Sequence, residues 1–188
     1  YYSTNIEDED KSISKWGGFI DHFDLFDNKF FNISPREAKS MDPQQRLLLQ
    51  ETWHCIEDSG VNLLELQTKK TSVFTGVMAI DYMNEVSSND VHTDSYAASG
   101  NYECMVANRV SYLLGLTGVS LAMDTACSSS LVAIHEARRS LILGESDFSI
   151  VAGVSLDFRP WKYISFGKSR MLSPEGQCKT FDKDANGY

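Results

Sequence analysis

Apolar positions along this chain alternate between a helical and a strand period. Leu48, Thr52, Cys55 and Ile56 recur at helical spacing, and the run stops at Gly60. That pattern predicts a helix with those four residues on its inward face. Two helix starts are legible upstream. Ser34-Pro35-Arg36-Glu37 places a capping hydroxyl, a proline and an acid in the order a helix N-terminus favours, and Asp42-Pro43-Gln44-Gln45 repeats the logic. Thr71 to Val77 is rich in β-forming residues and predicts a strand. Asn101 to Leu114 predicts a helix, apolar at Val106, Val110, Leu113 and Leu114 and ended by Gly115. Val119 to Met123 predicts a short strand, and Phe148 to Ser155 a buried one. Between them lies a helix expected to turn Leu131, Ile134 and Leu141 inward and to end at Gly144. Residues 1 to 15 are polar, with Glu7-Asp-Glu-Asp10 a solvated loop. Strands alternating with helices imply an α/β fold with helices packed on a largely buried sheet.

Cys127 falls at the strand-to-helix turn in Asp124-Thr-Ala-Cys-Ser-Ser-Ser-Leu-Val-Ala133. Unpaired backbone N–H groups at a helix start attract negative charge, and sulfur attacks as its anion. The position suits a nucleophile; a merely packed thiol is the alternative. Ser128 to Ser130 are small and polar, fit either to cap the helix or to leave room for a substrate. Cys55 and Cys104 read as structural, and Cys178 sits in a polar loop without an assignable role. Arg109 reads as a structural hydrogen-bond or ion-pair residue rather than a substrate clamp. Asp124 reads as a turn cap. His22, His54 and His92 read as packed or solvated. His135 lies two helical turns beyond Cys127, too far along the helix to touch the thiol.

Composition narrows the classes. The 188 residues carry a formal charge of −9, which excludes a basic nucleic-acid surface. No apolar run has the length of a membrane span. The four cysteines are widely spaced, with no Cys-x-x-Cys pair. That spacing argues against zinc or a disulfide framework and for reduced thiols in the cytoplasm. The chain is long enough for one domain with a sizeable core, burying roughly 70% of its unfolded surface if complete.

The decapeptide around Cys127 resembles the active-site motif of β-ketoacyl synthases, in particular the ketosynthase domains of modular polyketide synthases. Asn32-Ile-Ser-Pro-Arg-Glu-Ala38, Met41-Asp-Pro-Gln-Gln-Arg-Leu47, Ala107-Asn-Arg-Val-Ser-Tyr112 and Thr180-Phe-Asp-Lys-Asp-Ala-Asn-Gly-Tyr188 resemble further signatures of those domains, in the same order. Tyr1-Tyr-Ser-Thr-Asn5 and Ser14-Lys-Trp-Gly-Gly-Phe19 are most similar to bacterial synthases of the trans-acyltransferase type. The resemblance implies a thiolase-like layered αβαβα fold. It also implies that residues 1–188 are an internal fragment from the N-terminal half of a longer domain, inactive when isolated. By the same resemblance the intact domain is a homodimer with the Val119–Met123 strand at its interface, and the loop near Gly76, Asp81 and Tyr82 borders an acyl pocket.

The chemistry so implied is decarboxylative condensation. Cys127 takes an acyl chain from the phosphopantetheine arm of an acyl carrier protein, its backbone N–H helping to hold the oxyanion. A malonyl-type extender then supplies two carbons. No cofactor or metal is bound directly, and the partners are the carrier protein and neighbouring synthase domains, without nucleic acid or membrane. The two histidines that assist decarboxylation belong to motifs beyond Tyr188. The alternatives are a transfer-only ketosynthase and a fatty-acid β-ketoacyl synthase; Met41-Asp-Pro-Gln-Gln-Arg favours the polyketide type. A hydrolase is disfavoured because Cys127 lacks a Gly-x-nucleophile-x-Gly elbow.

Overall fold

The computed structural model describes residues 1–84 and 95–188, which form two compact units, residues 23–156 and residues 1–22 with 157–188. His92 lies outside the described residues.

The larger unit is built around three parallel strands, β1 (Thr71–Val77), β2 (Ser120–Met123) and β3 (Phe148–Val154), in the order β2-β1-β3. Register is set by Val73, which lies opposite Ser120 on one side and Ile150 on the other. β1 is buried along its whole length, and its side chains divide between two cores. Val73 and Val77 join the larger core, whereas Phe74 joins a smaller one with Ala133 and Ala137. That division follows the two-residue period of a strand.

Both legible helix starts are present. The Ser34 hydroxyl accepts the Glu37 N–H at 3.1 Å and opens α1 (Pro35–Ser40). Asp42 Oδ1 accepts the Gln44 N–H at 2.7 Å and opens α2 (Pro43–Ser59), which Gly60 ends at φ 69°. Asn62 caps a further short helix, α3 (Leu63–Thr68), which the apolar pattern does not signal. The helix expected over Asn101–Leu114 is instead α4 (Ala97–Asn101) and α5 (Cys104–Leu114), separated by extended backbone at Tyr102. A long-range contact fixes the break. Asn101 Nδ2 donates to the Ser40 carbonyl at 2.9 Å, and a Cβ at Gly100 would collide with that same carbonyl. Val106, Val110 and Leu114 are buried as their spacing implies.

Three burial assignments are corrected, the first being β3, expected to be buried but only partly so and exposed at Val151 and Gly153. Helix α6 (Ser129–Ile142) buries Ser129, Ala133, Ala137 and Ser140, while Leu131, Ile134 and Leu141 are exposed. Apolar periodicity here tracks the face away from the sheet, because the sheet-facing stripe is made of small residues. Cys55 is likewise exposed, although Leu48, Thr52 and Ile56 are buried. The buried stripe of α2 runs through Leu48, Thr52 and Ile56 at four-residue steps, and Cys55 falls beside it over a hollow shared with Ile150 and Ala152.

In the smaller unit, α7 (Trp161–Lys168) is the main element. Lys162 Nζ pairs with Asp157 at 2.9 Å, and Lys168 Nζ donates to the carbonyls of Ile6 and Asp8. Tyr188 N–H donates to the Met171 carbonyl at 3.0 Å and closes the C-terminal turns. Among the described residues no helix is long and apolar enough to cross a membrane.

Candidate active site

Residues 124–128 join β2 to α6 through a turn held by side-chain hydrogen bonds and by two backbone ones, from the Ser128 N–H to the Thr125 carbonyl and from the Ser129 N–H to the Ala126 carbonyl. Asp124 Oδ1 accepts the Ala126 N–H at 2.7 Å, the turn-capping role its position suggests. The Ser129 hydroxyl accepts the Thr125 N–H at 2.9 Å and donates to the Ala126 carbonyl at 2.6 Å. The Ser128 hydroxyl donates to the Thr125 carbonyl at 2.8 Å and also lies 2.9 Å from the Thr125 hydroxyl. Ala126 is left-handed at φ 55°, a conformation that costs an L-residue roughly 1–2 kcal/mol. The local hydrogen bonds offset that cost and present Cys127, whose side chain is exposed, just before the helix. Ser128 is the N-cap residue of α6 but makes no side-chain cap bond to the helix, since its hydroxyl is turned back into the loop.

The position of this turn is set by the sheet beneath it. A Cβ at Gly76 would come within 2.7 Å of the Ser129 and Ser130 backbone, and one at Gly153 within 3.1 Å of Ser130 Cβ. The first turn of α6 therefore rests directly on the backbones of β1 and β3. A glycine inside a strand pattern is the usual signal of such a close approach. The other end of α6 is tied down by buried serines. Ser146 Oγ lies 2.6 Å from Ser140 Oγ and 2.5 Å from Ser72 Oγ, and Ser72 in turn accepts the Val119 N–H at 2.9 Å. Nothing in residue spacing signals this serine chain.

The remaining conspicuous residues are dispersed. Arg109 is buried and structural, donating to Gln45 Oε1 at 2.7 Å, Glu37 Oε1 at 2.6 Å and the Ser99 carbonyl at 3.1 Å. Gln44 donates to the Ala79 carbonyl at 2.9 Å and accepts the Leu156 N–H at 3.1 Å. The Met41–Leu47 signature is thus an internal brace of α1, α2, α4 and α5. Its Asp42 carboxyl is pushed up from 3.8 to about 6, chiefly by burial, against the hydrogen bonds from Gln44. Asp81 is buried, and the Tyr82 hydroxyl donates to the Lys39 carbonyl at 3.0 Å. His54 is exposed and lies 3.4 Å from Glu51; His135 is exposed on α6, about 12 Å of helix rise beyond Cys127. His22, Cys104 and Cys178 are exposed. Among the described residues no group of three or more His, Cys, Asp or Glu side chains could hold a metal ion.

Residues 1–188 match the family described as Beta-ketoacyl synthase, N-terminal domain. The chain is 42% identical over 187 residues to polyketide synthase ThaG of Burkholderia thailandensis, covering 100% of this chain and 3% of that one. It is 48% identical over 176 residues to a phenolphthiocerol/phthiocerol polyketide synthase of Mycobacterium tuberculosis, covering 92% and 8% respectively. The structure matches the oxazolomycin ketosynthase domain OzmH KS7 of Streptomyces albus JA3453 with a TM-score of 0.89 and 35% identity, over 100% of this chain and 32% of that one. It matches the ketosynthase from module 6 of the bacillaene synthase of Bacillus subtilis 168 with a TM-score of 0.83 and 41% identity, over 100% and 30%. The chain spans about a third of those solved ketosynthases and a small part of the curated synthases. With its whole length matched in both sequence and structure, the chain belongs to the β-ketoacyl synthase family, in the N-terminal part of the thiolase-like ketosynthase fold.

Proposed function

We propose that Cys127 is the acyl-carrying nucleophile of a polyketide ketosynthase of the trans-acyltransferase type. The observation that carries the reading is an exposed thiol on a strained, self-bonded turn, immediately before a helix whose position the sheet dictates. The thiolate attacks the carbonyl carbon of an acyl-phosphopantetheine thioester delivered by an acyl carrier protein. The tetrahedral oxyanion forms beside the Cys127 backbone N–H, and collapse expels the pantetheine thiolate. In the synthase that contains these residues, a malonyl-type thioester then loses CO₂. Its carbanion attacks the acyl-enzyme, releasing the Cys127 thiolate and a β-ketoacyl thioester two carbons longer.

The reading extends to partners: a carrier protein, the neighbouring domains of a cytoplasmic synthase, and a second copy of the domain. Pairing through β2 is supported by its place at the end of the described sheet and by the exposure of Val119 and Leu121. No cofactor is part of the proposed chemistry, since the pantetheine arm arrives with the substrate.

The test is acylation of the intact synthase domain that contains these residues by a panel of acyl-pantetheine thioesters, read by intact-protein and peptide mass spectrometry. One acyl adduct, mapped to Cys127 and absent in Cys127→Ala, is the expected result. An adduct on another cysteine, or none, overturns the assignment. Adding a malonyl carrier protein to the acylated synthase separates elongation, which yields the extended product, from transfer alone.

A further inference from the structure

We infer that the hollow beside the C-terminal half of α2 is a docking site for an arginine side chain on a partner's peptide segment. The hollow holds about 270 Å³ and is bordered by Asp27, Phe30, Phe31, Trp53, His54 and Glu57. Its floor is aromatic. Phe30 stands edge-on to both Phe31 and Trp53, with ring centroids 4.9 Å apart in each case and interplanar angles of 80° and 75°. Phe31 is in turn stacked on Phe26 at 5.3 Å and is buried, so the floor is anchored in the core. Phe30 nevertheless remains 54% exposed. An aromatic ring held rigidly by two neighbours and left open to solvent is a feature of binding surfaces.

The rim is acidic, and its charge selects the occupant. Asp27 accepts the Phe30 N–H at 3.0 Å and has no cationic partner among the described residues; the Glu57 carboxylate has none either. Glu51, one turn before His54, is 3.4 Å from the His54 ring. No lysine or arginine borders the hollow. Carboxylates around an aromatic face attract a cation and repel the acids that dominate the rest of this chain. A guanidinium meets both features at once: its plane stacks on a ring while its fork donates to carboxylates, which a compact ammonium cannot do.

The experiment is NMR titration of the 188-residue protein, following the Trp53 indole N–H with N-acetyl-arginine amide, N-acetyl-lysine amide and the uncharged isostere N-acetyl-citrulline amide. Trp53 is identified by the loss of its signal in Trp53→Phe. Arginine is expected to move that resonance at least tenfold more effectively than citrulline and more effectively than lysine. Glu57→Gln, an exposed change that preserves the fold by its unchanged circular dichroism, is expected to weaken the arginine response severalfold. No shift with arginine, an equal response to citrulline or lysine, or an unaltered response in Glu57→Gln would each overturn the inference.

Discussion

All four cysteines are exposed, so access to a reagent does not distinguish them. Any difference in reactivity must come from what surrounds each sulfur. Cys127 stands at the start of the fourteen-residue α6 behind a hydrogen-bonded turn and Cys104 at the start of the eleven-residue α5, whereas Cys55 lies inside α2 and Cys178 outside any helix. The field of a helix N-terminus is worth about 0.3–1 kcal/mol to a nearby negative charge, or roughly a two- to fivefold rate advantage. Cys127 is therefore expected to alkylate with iodoacetamide a few times faster than Cys55 and Cys178, as timed by peptide mass spectrometry. Equal rates at Cys127 and Cys55 would remove the electrostatic part of the reading. The sequence alone locates this residue, because a strand, a turn and a helix start each leave local marks. It does not show that Ala126 adopts a positive φ, since alanine carries no mark of that conformation.

At the scale of elements, the contact between α6 and the sheet is the critical one. Gly76→Ala places a methyl group 2.7 Å from helix backbone, so either α6 or β1 must move. A strained insertion of this kind costs roughly 1–3 kcal/mol. The variant is expected to unfold at lower urea concentration and to lose the rate advantage of Cys127, because the turn moves with the helix. Caps and terminators are readable where one residue decides them, as at Ser34, Asp42 and Gly60. The inward face of α6 is not, because its burial depends on glycines in strands distant in sequence. Nor is the break between α4 and α5, which a contact with the Ser40 carbonyl fixes across 61 residues.

Across the whole molecule, the notable cost is a carboxylate kept out of water. Asp42 is fully buried, its Oδ2 has no hydrogen-bond partner, and its acidity is weakened to about 6 from 3.8. The folded state thus holds the proton more tightly than the unfolded chain does. Stability is greatest, for this group, below pH 3.8, declines as pH rises through about 6, and is flat beyond. The full difference is on the order of 3 kcal/mol. Asp42→Asn retains an oxygen for the Gln44 N–H without the charge. It is expected to lack this decline and to be the more stable form at pH 7, as measured by urea denaturation across pH 4 to 7. Parallel stability profiles for the two proteins would contradict the assignment. The −9 formal charge is legible from composition, but the burial of this one acid inside the Met41–Leu47 signature is not. A helix cap at the surface and one in the core have the same sequence.

The seating of α6 on Gly76 and Gly153 also limits how such domains can exchange parts. A segment running from β2 through α6 carries Cys127 and its turn, but not the glycines that set their height, which lie on either side of it in the chain. A chimera that imports that segment between larger residues at positions 76 and 153 inherits the nucleophile in the wrong place. Exchange is expected to succeed when its boundaries enclose β1 through β3 as one block, and to fail when they fall between them.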